Sequence, residues 1–286
     1  MKLARRTFLK FSGLAAGSSL LFGPENAFAY SAEKNTKQTS MLIDTTRCIG
    51  CQACERACSE RNSLIAPVGE PSVSTARVTD DAHYTVVNAF QTDKGTVFCK
   101  TQCMHCDQPA CVSACLVNAM YKTKEGPVIW KEDKCMGCRY CMLACPFDVP
   151  KFEYGSINPR VMKCIFCYKQ LVNGTKPACV QACPQEAIQM GRRDVLLAAA
   201  RKRIYDNPNQ YIEHIYGETE VGGTNMLYLS GVPFEQLGFK TDLGTIPYPE
   251  HTKTFLYSVP LVLLLGPTFM AGIRWSTRDR GEGSHH

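Results

Sequence analysis

The sequence predicts an α+β protein of two nested units, one inserted in the other, with a C-terminal transmembrane helix. Three observations lead there. Sixteen of the 17 cysteines fall into four sets of four. Short stretches with strand character lie between the sets. The nineteen residues from Phe255 to Ile273 carry no charge. At 286 residues, the chain is long enough to bury a core without covalent staples.

Cys48, Cys51, Cys54 and Cys58 form the first set, spaced C-x2-C-x2-C-x3-C. Cys103, Cys106, Cys111 and Cys115 form the second, spaced C-x2-C-x4-C-x3-C. Cys135, Cys138, Cys141 and Cys145 form the third, followed by Pro146, and Cys164, Cys167, Cys179 and Cys183 the fourth, followed by Pro184. The first and third have the spacing of bacterial ferredoxins, where three cysteines hold one iron–sulfur cluster and the fourth reaches its neighbour. Four sets imply four 4Fe–4S clusters, with the sixteen cysteines as iron ligands. A disulfide framework is the mark of short secreted chains. Zinc is the sharper rival, because C-x2-C pairs also form zinc knuckles, but structural zinc sites take two pairs rather than a triplet followed by x3-C-P. Cys99 stands outside the sets, in a predicted strand Thr96–Lys100, where it reads as a small buried apolar residue.

The elements follow in chain order. Residues 1–29 read as a signal peptide of the twin-arginine type: Arg5-Arg6-Thr7-Phe8-Leu9-Lys10, a weakly apolar run, then Ala27-Phe28-Ala29 as a cleavage site. Residues 30–40 are polar and read as a linker. Residues 41–193 hold the double cluster domain. Its first set lies on a loop opening into a short helix. Tyr84–Phe90 and Thr96–Lys100 read as a hairpin around Thr92-Asp93-Lys94-Gly95, and Ala119–Lys122 with Val128–Trp130 as a second. Ala187–Met190 reads as a strand, and a helix follows with Asp194 near its start and Val195 to Ile204 as its body. Residues 194–252 comprise this helix and a segment that wraps or docks. Residues 253–275 read as the membrane anchor, since nineteen apolar residues at helical rise match the ~30 Å hydrocarbon core. Pro260 and Pro267 weaken the helix but are tolerated in membranes. Arg274, Arg278 and Arg280 favour a cytoplasmic tail, 276–286.

Because the fourth ligand serves the partner cluster, the adjacent second and third sets are expected to pair, leaving the first and fourth to pair around them. Quartet I is then Cys48, Cys51, Cys54 and Cys183. Quartet II is Cys164, Cys167, Cys179 and Cys58. Quartet III is Cys103, Cys106, Cys111 and Cys145, and quartet IV is Cys135, Cys138, Cys141 and Cys115. The alternative pairs the first set with the second and the third with the fourth; it fits less well because residues 59–102 contain extra structure.

The formal net charge of +6 carries no argument for nucleic-acid binding. Lys2, Arg5, Arg6 and Lys10 against Glu25 place +3 of it in the signal. Four oxidised clusters of about −2 each bring the remainder to roughly −5. Arg47, Arg139 and Lys163 read as charges that balance thiolates and clusters. The chain has no Ser-His-Asp set, no Walker loop and no cysteine set for a nickel–iron site, so no catalytic residue is assigned. His105, inside the second set, reads as a polar loop residue.

The four-set arrangement over Met41–Arg193 resembles the ferredoxin-like, four-cluster subunits of membrane-bound oxidoreductases. Leu116 and Ser59 stand where a proline often follows the last cysteine of a set, without loss of a ligand. The tail, with Tyr216-Gly217-Glu218, Gly222-Gly223-Thr224 and Gly231-Val232-Pro233-Phe234, is similar to HybA-like iron–sulfur subunits of hydrogenase-2-type nickel–iron hydrogenases. That resemblance implies electron transfer on the periplasmic side of the cytoplasmic membrane. Its partners would be a large nickel–iron subunit, a small subunit with its own clusters, and an NrfD-type integral membrane subunit that binds quinone. The alternatives are the β subunit of a membrane formate dehydrogenase or another molybdopterin oxidoreductase, a zinc-stabilised structural subunit, and a reductase complete in itself.

Overall fold

A computed structural model describes residues 37–278 of the chain. The expected signal (1–29), most of the linker and the last eight residues of the tail lie outside the described residues. The elements run β1 (Thr39–Asp44), α1 (Ala53–Asn62), β2 (Thr85–Thr92), β3 (Gly95–Gln102), α2 (Ala110–Ser113), β4 (Met120–Lys122), β5 (Val128–Trp130) and α3 (Tyr140–Leu143). They continue with β6 (Lys151–Phe152), β7 (Val161–Met162), α4 (Tyr168–Val172), α5 (Ala178–Gln181), β8 (Ile188–Arg192), α6 (Arg193–Asp206), β9 (Met226–Leu229) and α7 (Tyr248–Arg278). Helices and short strands are mixed, as an α+β chain requires.

β1 is the centre of a three-stranded sheet in the order β8-β1-β9. It runs antiparallel to β8, with Met41 opposite Met190, and parallel to β9, with Met41 opposite Met226. Its Met-Leu-Ile run is apolar without alternation because both faces are covered. Met41 and Ile43 join the core on the cysteine side, where Cys54, Cys179, Phe166 and Tyr228 also lie. Leu42 points the other way, onto Leu196, Leu197 and Ala200 of α6 and Leu227 and Leu229 of β9. Thr39 and Ser40, expected in the linker, belong to this strand; pairing with Arg192 and Gly191 outweighs their polar character.

The segment after α6 does more than wrap. Tyr216, Tyr228 and Phe234 are buried, and their rings pack with Phe239 at centroid distances of 4.6–5.3 Å for Tyr216–Phe239, Tyr228–Phe239 and Phe234–Phe239. Such edge-to-face stacking adds to the burial of large apolar area. The Tyr228 hydroxyl donates to the Lys100 carbonyl at 3.0 Å and the Tyr216 hydroxyl to the Lys240 carbonyl at 2.8 Å. Gly217 has φ +94°, and a Cβ there would collide with the Met226 carbonyl, so this turn admits only glycine.

Two carboxylates fix loops around the sheet. Asp44 accepts from the Tyr211 hydroxyl at 2.9 Å and Arg203 Nη1 at 3.1 Å. Glu55 of α1 holds Arg77 in a two-pronged pair at 2.7 and 2.8 Å and accepts from the Val87 amide at 3.0 Å. The pair clamps the insert between α1 and β2 onto the β2–β3 hairpin.

α7 extends beyond the apolar run at both ends, because polar flanks such as Glu250 and Lys253 continue the helix. Among the described residues it is the one helix long and apolar enough to cross a membrane. Pro260 and Pro267 lie inside it. Ser258 and Thr268 beside them donate to the Phe255 and Leu264 carbonyls, as hydroxyls do near prolines in membrane helices. Its large apolar side chains, among them Leu263, Leu264 and Phe269, are exposed all along its length.

Phe234→Ala is expected to lower unfolding stability by about 3–5 kcal/mol, the usual cost of emptying a buried aromatic site. Denaturant titration of the cluster-loaded chain measures it.

Candidate metal centres

The cysteine-bearing segments are built on a repeated backbone device. Gly50 and Gly137, in the middle of the first C-x2-C step of sets one and three, have φ of +72° and +71°. Gln52 and Arg139, each just after the second cysteine, are also left-handed and start α1 and α3. A second turn follows the last cysteine of three sets. Asn118, Asp148 and Glu186 have φ of 54°, 53° and 48°, and their amides donate to the carbonyls of Cys115, Cys145 and Cys183 at 3.2–3.3 Å. Leu116 leaves that turn intact without a proline. After the first set there is no such turn; from Ser59 the helix runs on to Asn62. Left-handed non-glycine residues cost of order 1–3 kcal/mol each. Their recurrence at matching positions shows that the loops are shaped by something other than local preference.

α1 packs on α5, and α2 on α3. One cavity is lined by Cys48, Cys51, Cys54 and Cys183, together with Ile43, Val87 and Lys100. A second is lined by Cys58, Cys164, Cys167 and Cys179, with Met41, Phe166 and again Lys100. Cys106 lies within electrostatic reach of Cys145, Cys111 and Cys103, and Cys141 within reach of Cys115, Cys135 and Cys138. Neighbouring groups also touch electrostatically: Cys54 with Cys179, Cys164 with Cys103, and Cys111 with Cys141. Cys51 and Cys138 are the exposed members. Cys99 belongs to none of these groups; it is wholly buried in β3 within the main core.

Burial pushes the thiols up, to about 12 at Cys54 and Cys58 and about 11 at Cys141 and Cys145. Such thiols stay protonated at neutral pH until a metal displaces the proton. Several sulfurs already accept hydrogen bonds. The Ala119 and Met120 amides donate to Cys115 Sγ at 3.2 and 3.3 Å, the Phe166 amide to Cys164 Sγ at 3.4 Å, and Asn62 Nδ2 to Cys58 Sγ at 3.5 Å. Hydrogen bonds to ligand sulfur are one of the levers that set cluster potential.

Three lysines are buried beside these thiols. Lys100 donates to Thr85 Oγ1 at 2.6 Å. Burial alone would lower it, but Cys179, Cys54, Cys164 and Cys58, once ionised, outweigh burial and raise it. Lys163 donates to the Cys164 carbonyl at 3.0 Å and lies 3.8 Å from Cys103 Sγ. Lys122 donates to the Cys106 carbonyl at 2.7 Å, and burial lowers it to about 8. Of the three cations singled out from the sequence, Lys163 is thus beside thiols. Arg139 instead stacks on Phe152 and Tyr154, at 4.5 and 4.8 Å from the ring centroids. Lys100 was missed because a lone lysine in a strand carries no motif.

His105 lies in the loop after β3, as expected, but it is not solvated. It is fully buried, Nδ1 accepts from the Val128 amide at 2.9 Å, and burial holds its pKa well below the ordinary range. The acceptor role of Nδ1 puts the proton on Nε2, which has no protein partner. A buried donor left over between Cys103 and Cys106 fits a site whose acceptor is cluster or ligand sulfur. The donor set fits as well, since soft thiolates in fours suit iron–sulfur clusters. Among the described residues no three His, Cys, Asp or Glu side chains converge for a single ion; thiols facing one another across a cavity suit a polyatomic cluster.

Gly50→Ala would place a methyl group in the Phe98 ring at a left-handed position. Iron and acid-labile sulfide analysis of the purified variant is expected to show loss of one cluster's worth, with the Phe234 core still folded by near-UV circular dichroism.

Residues 95–193 match the model of the 4Fe-4S dicluster domain. A protein of Nitratidesulfovibrio vulgaris (strain Hildenborough) is 46% identical over 239 residues, covering 81% of this chain and 65% of its own length, so the chain spans just under two thirds of that relative. The hydrogenase-2 operon protein HybA of Escherichia coli O157:H7 is 36% identical, with 99% of this chain and 97% of that protein aligned. The formate dehydrogenase-O iron-sulfur subunit of Escherichia coli K12 is 35% identical over 68% of this chain and 67% of its own. The HybA match includes the tail and α7, whereas the formate dehydrogenase match leaves about a third of the chain unaligned. With thiols grouped for 4Fe–4S clusters and a full-length match of this kind, the chain belongs to the HybA-like family and is an electron-transfer iron–sulfur subunit.

Proposed function

We propose that the chain is the relay of a periplasm-facing, membrane-bound hydrogenase, between a hydrogen-oxidising small subunit and a quinone-reactive NrfD-type membrane subunit. Four 4Fe–4S clusters would be held by quartets I to IV as assigned from the sequence, in two nested ferredoxin-like units. When bound, each cluster takes up and releases one electron. The observation that carries the reading is the succession of thiol groups. Neighbours touch electrostatically in the order I, II, III, IV, and an exposed cysteine stands at each end, Cys51 in I and Cys138 in IV. The packing of α1 on α5 and α2 on α3 supports the nested pairing over the sequential one.

The chain's own residues bury and orient the thiols, donate to sulfur and supply counter-charge. α7 touches α2, the helix that carries Cys111, which supports an exit towards the membrane through quartets III and IV. The twin-arginine motif at Arg5-Arg6 supports export of the folded, loaded chain. The arginines after the apolar run support an orientation with the clusters outside and the C-terminus in the cytoplasm.

Cys135→Ala is expected to remove one cluster, leave about twelve irons per chain, and abolish hydrogen-dependent quinone reduction by isolated membranes. Normal quinone reduction in that variant would refute the relay. Affinity purification from membranes is expected to bring down a nickel-containing subunit; a molybdenum subunit in its place would assign the chain to a molybdopterin oxidoreductase. Alkaline carbonate washing is expected to leave the chain in the membrane pellet, and its release would remove the anchor.

A further inference from the structure

Lys100 occupies a place no other charged residue shares among those described: it lines both the cavity of quartet I and that of quartet II. It lies on β3 opposite Val87, which lines the first cavity, and two residues from Gln102, which lines the second. Its side chain is buried, and its ammonium is anchored by a 2.6 Å hydrogen bond to Thr85 Oγ1. Its carbonyl is held in turn by the Tyr228 hydroxyl. Among the described residues no carboxylate is paired with it, and the groups around it that turn anionic on losing their protons are the thiols of both quartets: Cys54 of quartet I, and Cys58, Cys164 and Cys179 of quartet II. An aliphatic residue would fill the same strand position at no desolvation cost, so an unpaired buried ammonium needs negative charge beside it.

We infer that Lys100 is a shared counter-charge for the two clusters of quartets I and II, setting both of their reduction potentials. This rests on the cluster assignment above. Each electron added to either side increases negative charge in a site of low dielectric, where one fixed positive charge favours the reduced form. The exchange involves one electron: the quartet that gives it is oxidised, the quartet that takes it is reduced, no proton moves, and Lys100 keeps its charge throughout. A cation common to both sites raises both potentials together. It therefore leaves the difference between them unchanged and favours neither direction. Lys100 is a positioning residue for charge and not a ligand.

The test is an EPR-monitored redox titration of the full chain with iron and sulfide analysis, comparing wild type, Lys100→Met, Lys100→Arg and Thr85→Val. In Lys100→Met, two of the four midpoint potentials are expected to fall by at least the equivalent of a tenfold change in the reduction equilibrium, about 59 mV for a one-electron couple. The other two are expected to stay put. Lys100→Arg, which keeps the charge, is expected to restore most of the shift. Thr85→Val, which frees the ammonium without removing it, is expected to move the same two potentials by a smaller amount, and it decides the matter if Lys100→Met loses iron. Four unchanged potentials in Lys100→Met with full iron content, or in Thr85→Val where Lys100→Met has lost iron, would overturn the role of Lys100 and leave the cluster assignment standing. A wild-type chain that holds fewer than four clusters, with the site of quartet I or II among those lacking, would overturn the assignment and this inference together.

Discussion

A thiolate taken out of water loses several kcal/mol of hydration, which positive charge beside it must offset, and every set cysteine except Cys51 and Cys138 is at least partly withdrawn from solvent. Much of the architecture answers that demand. The burial that pushes Cys54 and Cys58 up to about 12 is opposed first by the ammonium of Lys100, and that of Cys111 first by Lys163. Iron must supply the rest. The left-handed residues Gly50, Gln52, Gly137 and Arg139 shape the cysteine loops, and at Gln52 and Arg139 this carries a conformational cost that metal ligation would offset.

The sheet turns these loops into one body. β1 lies beside both thiol-lined cavities, with Ile43 in one wall and Met41 in the other. β8 on one side leads directly from Cys183, while β9 on the other side carries Tyr228, whose hydroxyl holds the Lys100 carbonyl. The aromatic hub of Tyr216, Tyr228, Phe234 and Phe239 therefore supports the strand on which the shared lysine rides. The tail contributes to the electrostatics of a site it does not line.

The cysteine spacing was the most legible feature of the chain, because iron–sulfur chemistry imposes short, fixed intervals between cysteines. Both long hairpin strands and the body of α6 were also legible, from alternation and from the Val195–Ile204 pattern. β1 was less so: its first residues, Thr39 and Ser40, are polar, and its partners lie far away in sequence, so nothing local marks where pairing begins. The buried settings of Lys100 and His105 were not legible for a related reason. Their surroundings are assembled from β2, β3, β5, the cysteine loops and the tail, and a residue type that is usually solvated gives no local sign of burial. Arg139 shows the converse, since proximity to Cys138 in sequence did not bring its guanidinium to sulfur; the rings of Phe152 and Tyr154 hold it instead.

The strand order has a consequence for the timing of synthesis. β1 is among the first folded segments to leave the ribosome, yet it has no partner until β8 and β9 exist, and quartet I would lack its fourth sulfur until Cys183 is made. The middle of the chain, with the short-range pairs β2–β3 and β4–β5, can form hairpins much earlier. Assembly would thus proceed from the inside outward, with the central strand of the sheet unpaired until β8 is made and paired on one side alone until β9 follows. During that interval Met41-Leu42-Ile43 is an exposed apolar edge, open to aggregation or to chaperone capture. A sheet closed by its earliest and latest strands also offers a simple check on completeness: a product truncated before Met226 would leave β1 unpaired along one whole side.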